Sequence, residues 1–217
     1  MFNSHCGGIR LDEVSLMKRI GALLLCGILL LPAAGASGTP WPAWAAEALA
    51  WGREKSVSRA FLASPGQRLT RGAVARLLYE SAGQPAAHEE CPFSDVSEKD
   101  AVAVGWAAGQ GYLTGVGDGT YEPGRPVTRQ EFAAILWRQA GTPEVPVQGL
   151  ERFGDAGTVS EWARDAVLWC QQAGVMAGRS GDKLAPEDTI TTAEALVMLE
   201  RAYTMIYMYH KVTRLKL

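Results

Sequence analysis

Three stretches of the chain are copies of one pattern, and this repetition constrains the fold more than any other feature. The copies are SPGQRLTRGAVARLLYESAG, EPGRPVTRQEFAAILWRQAG and APEDTITTAEALVMLERAYT, beginning at Ser64, Glu122 and Ala185. Pro65, Pro123 and Pro186 each stand five residues before Thr70, Thr128 and Thr191. Apolar residues recur four, seven and eight positions past each threonine: Val74, Leu77 and Leu78; Phe132, Ile135 and Leu136; Ala195, Met198 and Leu199. That spacing is one face of an amphipathic helix. A unit of this size cannot bury its apolar face alone, so three units are expected to pack into a joint core.

The threonines are helix start signals. Thr70, Thr128 and Thr191 are predicted N-caps, and Glu131 and Glu194, three residues later, complete capping boxes contributing about 1 kcal/mol each. A second helix precedes each loop, marked by Trp51, Trp106 and Trp169, each with an alanine three residues earlier. Ser56, Gly111 and Gly174 follow five residues after the tryptophans, two of them the glycine expected beyond a helix C-terminus. The tryptophans are expected in the core. Each unit therefore reads as helix, Gly-rich loop, capped helix, an all-α fold. The units are placed at 37–85, 91–143 and 151–206, joined by Pro- and Gly-containing linkers. A basic tail, 207–217, carries Lys211, Arg214 and Lys216.

The N-terminus carries an export pattern. Lys18 and Arg19 precede an apolar run from Ile20 to Leu31, followed by Pro32 and small residues to Ala36. Residues 1–36 are read as a signal peptide, removed after Ala36, with Met17 the expected start because Asp12 and Glu13 do not belong upstream of a basic n-region. The run is too short to span a bilayer comfortably, so no membrane span is expected in the mature form. Of the cysteines that remain, Cys91 and Cys170, the latter follows Trp169 in an apolar helical stretch and is expected to be free and buried rather than bridged.

The formal charge of -2 argues against a nucleic-acid binder. Enzyme chemistry finds little support either. No nucleophile elbow is present, and Gly115-x-Gly117-x-x-Thr120 lacks its last glycine and follows a helix rather than a strand. His88, Glu89, Glu90 and Cys91 supply at most half a metal site, with no second ligand pair at zinc-like spacing. No catalytic residue, metal or cofactor is expected.

The segments FSDV (Phe93 to Val96), GDGTYEP (Gly117 to Pro123) and VTRQE (Val127 to Glu131), with the Trp-bearing helix between them, resemble the S-layer homology module. The third copy keeps FGDA at Phe153 and ITTAE at Ile190; the first keeps LTR but has lost the DG-type loop. The resemblance implies three modules in a pseudo-threefold, three-pronged helical domain. It implies non-covalent attachment of an exported protein to the cell wall, through inter-repeat grooves that accept an acidic secondary cell wall polysaccharide, often pyruvylated. The alternative is a structural S-layer or envelope subunit that self-associates, or an anchor lacking its cargo domain.

Arg71 and Arg129 follow their capping threonines directly, where the helix dipole disfavours a cation. An arginine beside open N-terminal amides makes an anion site for one carboxylate, and both are expected to bind ligand; the alternative is a pair with a carboxylate of the next repeat. Thr192 replaces the arginine in the third copy, so at most two competent grooves are expected. Trp44 and Trp162 stand seven residues before their marker tryptophans, where the second repeat has Lys99, and either stack on sugar or pack between repeats. Asp118 and Gly119 shape a turn that the resemblance places at the groove wall.

Overall fold

In the computed structural model of the chain, residues 40–86, 90–145 and 148–214 are described, the side chains as far as Tyr207. Residues 1–36, read from the sequence as a signal peptide, and His88 lie outside them. Seven α-helices are present among the described residues: α1 (Ala46–Glu54), α2 (Arg59–Leu62), α3 (Arg71–Ser81), α4 (Glu98–Gly109), α5 (Arg129–Gln139), α6 (Arg164–Gln172) and α7 (Thr192–Arg214). Short 3-10 turns at Ala43–Ala45 and Glu161–Ala163 lead into α1 and α6. Extended pairing among these residues is confined to isolated bridges. The segment read as a tail continues α7 as helix through Arg214.

The helices α3, α5 and α7 begin where the threonines place them. Thr128 and Glu131 form a complete capping box, Thr70 Oγ1 accepts from the Ala73 amide, and Glu194 accepts from the Thr191 amide at 3.0 Å. The first helices end in a left-handed residue at Ser56, Gly111 and Gly174, with φ of 59, 74 and 74 degrees. Trp106 and Trp169 are buried and Trp51 half-buried.

The helices do not pair within the sequence units. α3 packs on α4, α5 on α6, and α7 returns to α1, so each capped helix joins the first helix of the following copy and the last closes on the first. Trp106 meets Tyr79 across one such pair and Trp51 meets Tyr203 across another, with ring centroids 5.6 and 5.4 Å apart. At the centre, the residues preceding the three caps form a ring. The Leu69 amide donates to the Ile190 carbonyl, Ile190 to Val127, and Val127 to Leu69, at 2.9 to 3.0 Å. All three are buried to within 1% exposure, so this ring lies in the core and defines an approximate threefold axis.

Candidate functional site

Beside each of two capped helices, a loop is held by one carboxylate. Asp95 accepts from the Tyr121 and Glu122 amides, both at 2.7 Å, and Asp155 from the Leu184 and Ala185 amides, both at 2.8 Å. Glu122 and Ala185 lie in the left-handed region, at φ 56 and 51 degrees, a conformation these residues rarely adopt without such support. Desolvation raises the Asp95 and Asp155 pKa values, but the backbone hydrogen bonds outweigh it and hold both below the ordinary range. These are the aspartates of FSDV and FGDA.

The clamped loops aim carbonyls at the arginines. Arg129 donates from Nε to Leu184 O at 3.0 Å, from Nη2 to Ala177 O at 2.7 Å and from Nη1 to Glu194 Oε1 at 3.0 Å. Arg71 repeats the pattern one unit earlier, with Nε to Tyr121 O at 2.7 Å and Nη2 to Thr114 O at 2.6 Å, its guanidinium 4.3 Å above the Tyr121 ring. Arg129 is 3% exposed, and burial lowers its pKa against the opposing charge of Glu194.

The expected anion site on open amides is not present. The Arg129 and Gln130 amides donate to Asp188 O and Pro186 O, and the Arg71 and Gly72 amides to Arg125 O and Pro123 O, all at 2.9 Å. Neighbouring repeats thus satisfy the helix N-termini that an anion would otherwise occupy. The cation at the first helical position is explained by its side chain, which reaches away from the dipole to carbonyls and, at Arg129, to a carboxylate. The third junction lacks both partners: Thr192 stands in place of the arginine and donates to Gln67 O at 3.2 Å, and Ala73 stands in place of the glutamate.

A groove of about 340 Å³ opens where α7 meets the 3-10 turn before α1, bordered by Trp44, Arg129, Arg179, Glu194 and Arg201. Trp44 is 59% exposed, so its ring is not packed between repeats. Arg179 is tied to Glu194 and Asp188. Burial raises the Glu194 pKa, but the Arg179 hydrogen bond, the Thr191 amide and the charge of Arg129 prevail and bring it to about 2. Arg201 is exposed and, among the described residues, makes a single long bond, Nη1 to Gly174 O at 3.4 Å, so most of its donors face solvent. Arg201 and Arg179 were missed by sequence reasoning; the register shared by the repeats was the available signal for Arg201.

That register repeats the exposed ring and the arginine one unit earlier. Trp162 is 58% exposed, its 3-10 turn lies against α5, and Arg138 stands ten residues past Thr128 as Arg201 does past Thr191. Arg138 Nη1 makes a similar 3.4 Å bond to Tyr112 O, one residue past the equivalent of Gly174. The third set of equivalents is Lys99 and Glu80, the latter accepting from the Ser58 amide. Asp118 and Gly119 are exposed turn residues at φ 51 and 70 degrees and do not border the groove beside Trp44. Cys91 and Cys170 are both free, and burial pushes the Cys170 thiol up. Among the described residues no cluster of His, Cys, Asp and Glu is fit to hold a metal, and no helix is long and apolar enough to cross a membrane.

Comparison with known proteins agrees with this geometry. The family model described as S-layer homology domain matches residues 92–133 and 152–196. An amylopullulanase of Thermoanaerobacterium thermosulfurigenes is 31% identical over 120 residues, which cover 54% of this chain and 6% of that protein. Exoglucanase XynX of Acetivibrio thermocellus is 31% identical over 120 residues, 54% of this chain and 10% of its own. Cell surface glycoprotein 1 of Acetivibrio thermocellus is 25% identical over 154 residues, 64% and 6%. The chain spans a tenth or less of the length of these relatives. S-layer homology domains anchor proteins to the cell surface. The segments 92–133 and 152–196, in the second and third units, match the S-layer homology family.

Proposed function

We propose that this chain is a non-covalent cell-wall anchor, exported by its N-terminal signal, that binds an acidic wall polysaccharide in its inter-repeat grooves. The observation that carries the reading is the groove beside Trp44, where an exposed indole faces a surface with three guanidinium groups and one carboxylate. An aromatic face stacks on the C–H face of a sugar, and a guanidinium edge takes a carboxylate such as a pyruvate ketal in two parallel hydrogen bonds. Arg201 is the cation with donors to spare, while Arg129 and Arg179 fix the positive wall behind it. Trp162 and Arg138 form the second site. The junction with Thr192, Ala73, Lys99 and Glu80 offers neither an exposed ring nor an unopposed cation, and two ligands bind per chain.

The test is a pull-down of the protein with native and de-ketalated wall polysaccharide, repeated with Trp44→Ala and Arg201→Ala. Native polymer is expected to retain the parent protein, with binding weakened about tenfold or more in each variant, as for a lost stacking or charge-assisted contact. Equal retention by both polymers would refute the acidic-ligand reading. Concentration-dependent assembly without polymer binding would favour a lattice subunit instead.

A further inference from the structure

A second basin, of about 650 Å³, lies on the far side of the loop that walls the groove beside Trp44. The two concavities share Ala177 and Gly178 as a common rim. Gly178 keeps that rim low and tight: a Cβ there would come within 2.8 Å of the Lys183 carbonyl. The basin is bordered by Arg152, Gln171 and Asp182, and none of these side chains hydrogen-bonds another described residue. Arg152 is held flat, its guanidinium 4.7 Å over the Phe153 ring, which leaves its edge donors facing outward. In the second repeat the corresponding positions are Pro92, Ala108 and Gly119, so the polar set of the third repeat has no counterpart there.

Resting on the anchoring reading, we propose that this basin is a second carbohydrate subsite, continuous with the groove beside Trp44 across the Gly178 rim. One carboxylate, one carboxamide and one guanidinium together offer donors and acceptors with no net charge. That set suits the hydroxyl and acetamido groups of neutral sugars, whereas the cation-rich groove suits the acidic residue. A polymer whose acidic unit lies against Trp44 and Arg201 passes its next residues over the rim to Arg152, Gln171 and Asp182. The site therefore reads more than one residue of the wall polymer.

The experiment is calorimetric titration of the full chain with pyruvylated wall-polysaccharide fragments of one and of three repeating units. The longer fragment is expected to bind about tenfold tighter than the shorter, as a few hydrogen bonds to hydroxyls provide. In the triple variant Arg152→Ala, Gln171→Ala, Asp182→Ala, the short fragment keeps its affinity and the gain with length disappears. Arg201→Ala weakens both fragments alike. Equal affinity of the two fragments for the parent chain, or a gain with length retained in the triple variant, would overturn the second subsite while leaving the first intact. Failure of both fragments to bind the parent would refute the anchoring reading and the extension with it. Arg152 and Asp182 are exposed and Gln171 is half-buried, and circular dichroism melting of the triple variant is expected to stay close to the parent.

Discussion

Replacing Arg129 with alanine separates the two roles the residue was assigned. As a surface cation its loss leaves the fold unchanged; as a buried strut its loss destabilises the junction between the second and third repeats. The structure supplies the magnitude. Arg129→Ala removes donors from the Leu184 and Ala177 carbonyls and one partner from Glu194. Breaking a buried charged pair costs about 3 to 5 kcal/mol when the remaining charge is stranded. Glu194 is not stranded, because Arg179 and the Thr191 amide still hold it. The expected cost is therefore about 3 kcal/mol, which for a folded region of this size lowers Tm by roughly 6 to 12 °C. Thermal melting followed by circular dichroism at 222 nm, roughly the helix band, reads this directly. Arg71→Ala is the internal comparison: the residue is half-buried and makes two carbonyl bonds, and about 1 to 2 kcal/mol is expected. An Arg129→Ala melt within 2 °C of the parent, on the order of the scatter expected for surface substitutions, would refute the strut.

Acid should weaken the same junction. The folded Glu194 pKa of about 2 lies below its ordinary 4.5, so the unfolded chain binds its proton first. The contribution is full above about pH 5 and is lost as pH falls towards 2, to a limit of about 3 kcal/mol. Urea midpoints measured across that window should fall more steeply for the parent than for Glu194→Gln, and parallel curves would show that Glu194 carries little of the effect. Ending the chain at Gly149 removes α6 and α7, leaves α5 and α1 unpaired, and opens the ring at Leu69; loss of a cooperative melt is expected. A sharp transition near the parent Tm in that truncated chain would contradict the closed arrangement.

The capped helices were legible because their signals are local. A threonine, a glutamate three residues on and a helical apolar period specify a start and a face without reference to the rest of the chain. The pairing of helices was not legible, since an apolar period names a buried face and not the partner that buries it. α3 has as good a face for its own unit as for α4. The ring through Leu69, Val127 and Ile190 settles the matter by fixing where each capped helix points. Arg129 shows the same limit at one residue. The dipole argument assumed open amides, and only the fold brings Asp188 and Pro186 over them. Arg201 stands in the exposed part of a helix and reads as an ordinary solvated arginine. Set beside Trp44 and compared with Arg138 and Glu80 in the other copies, its position separates two copies that carry a cation from one that carries an acid.

The third junction tests whether the arginine and the glutamate act as one unit. Arg129 pairs directly with Glu194, while Arg71 feels only the charge of Glu131, which itself is bonded to Arg125; where Thr192 occurs, the repeat it meets supplies Ala73. Thr192→Arg alone therefore does not restore a site. Thr192 is 1% exposed, so the new guanidinium enters a buried place with no carboxylate across from it, and the Thr192 bond to Gln67 O is lost. A destabilisation of about 2 to 3 kcal/mol is expected, the cost of an unpaired buried charge partly relieved by a long side chain reaching water. Adding Ala73→Glu places an acid at the third helical position of α3, where it both faces the arginine and completes a capping box with Thr70. The double variant should recover at least about 1 kcal/mol relative to the sum of the two single changes, a coupling of the size measured between residues in direct contact. Denaturant melts of the parent, both single variants and the double variant give the cycle. Strict additivity would mean that the two positions do not meet across the junction, and that the matched occurrence of arginine and glutamate at the other two has a separate cause.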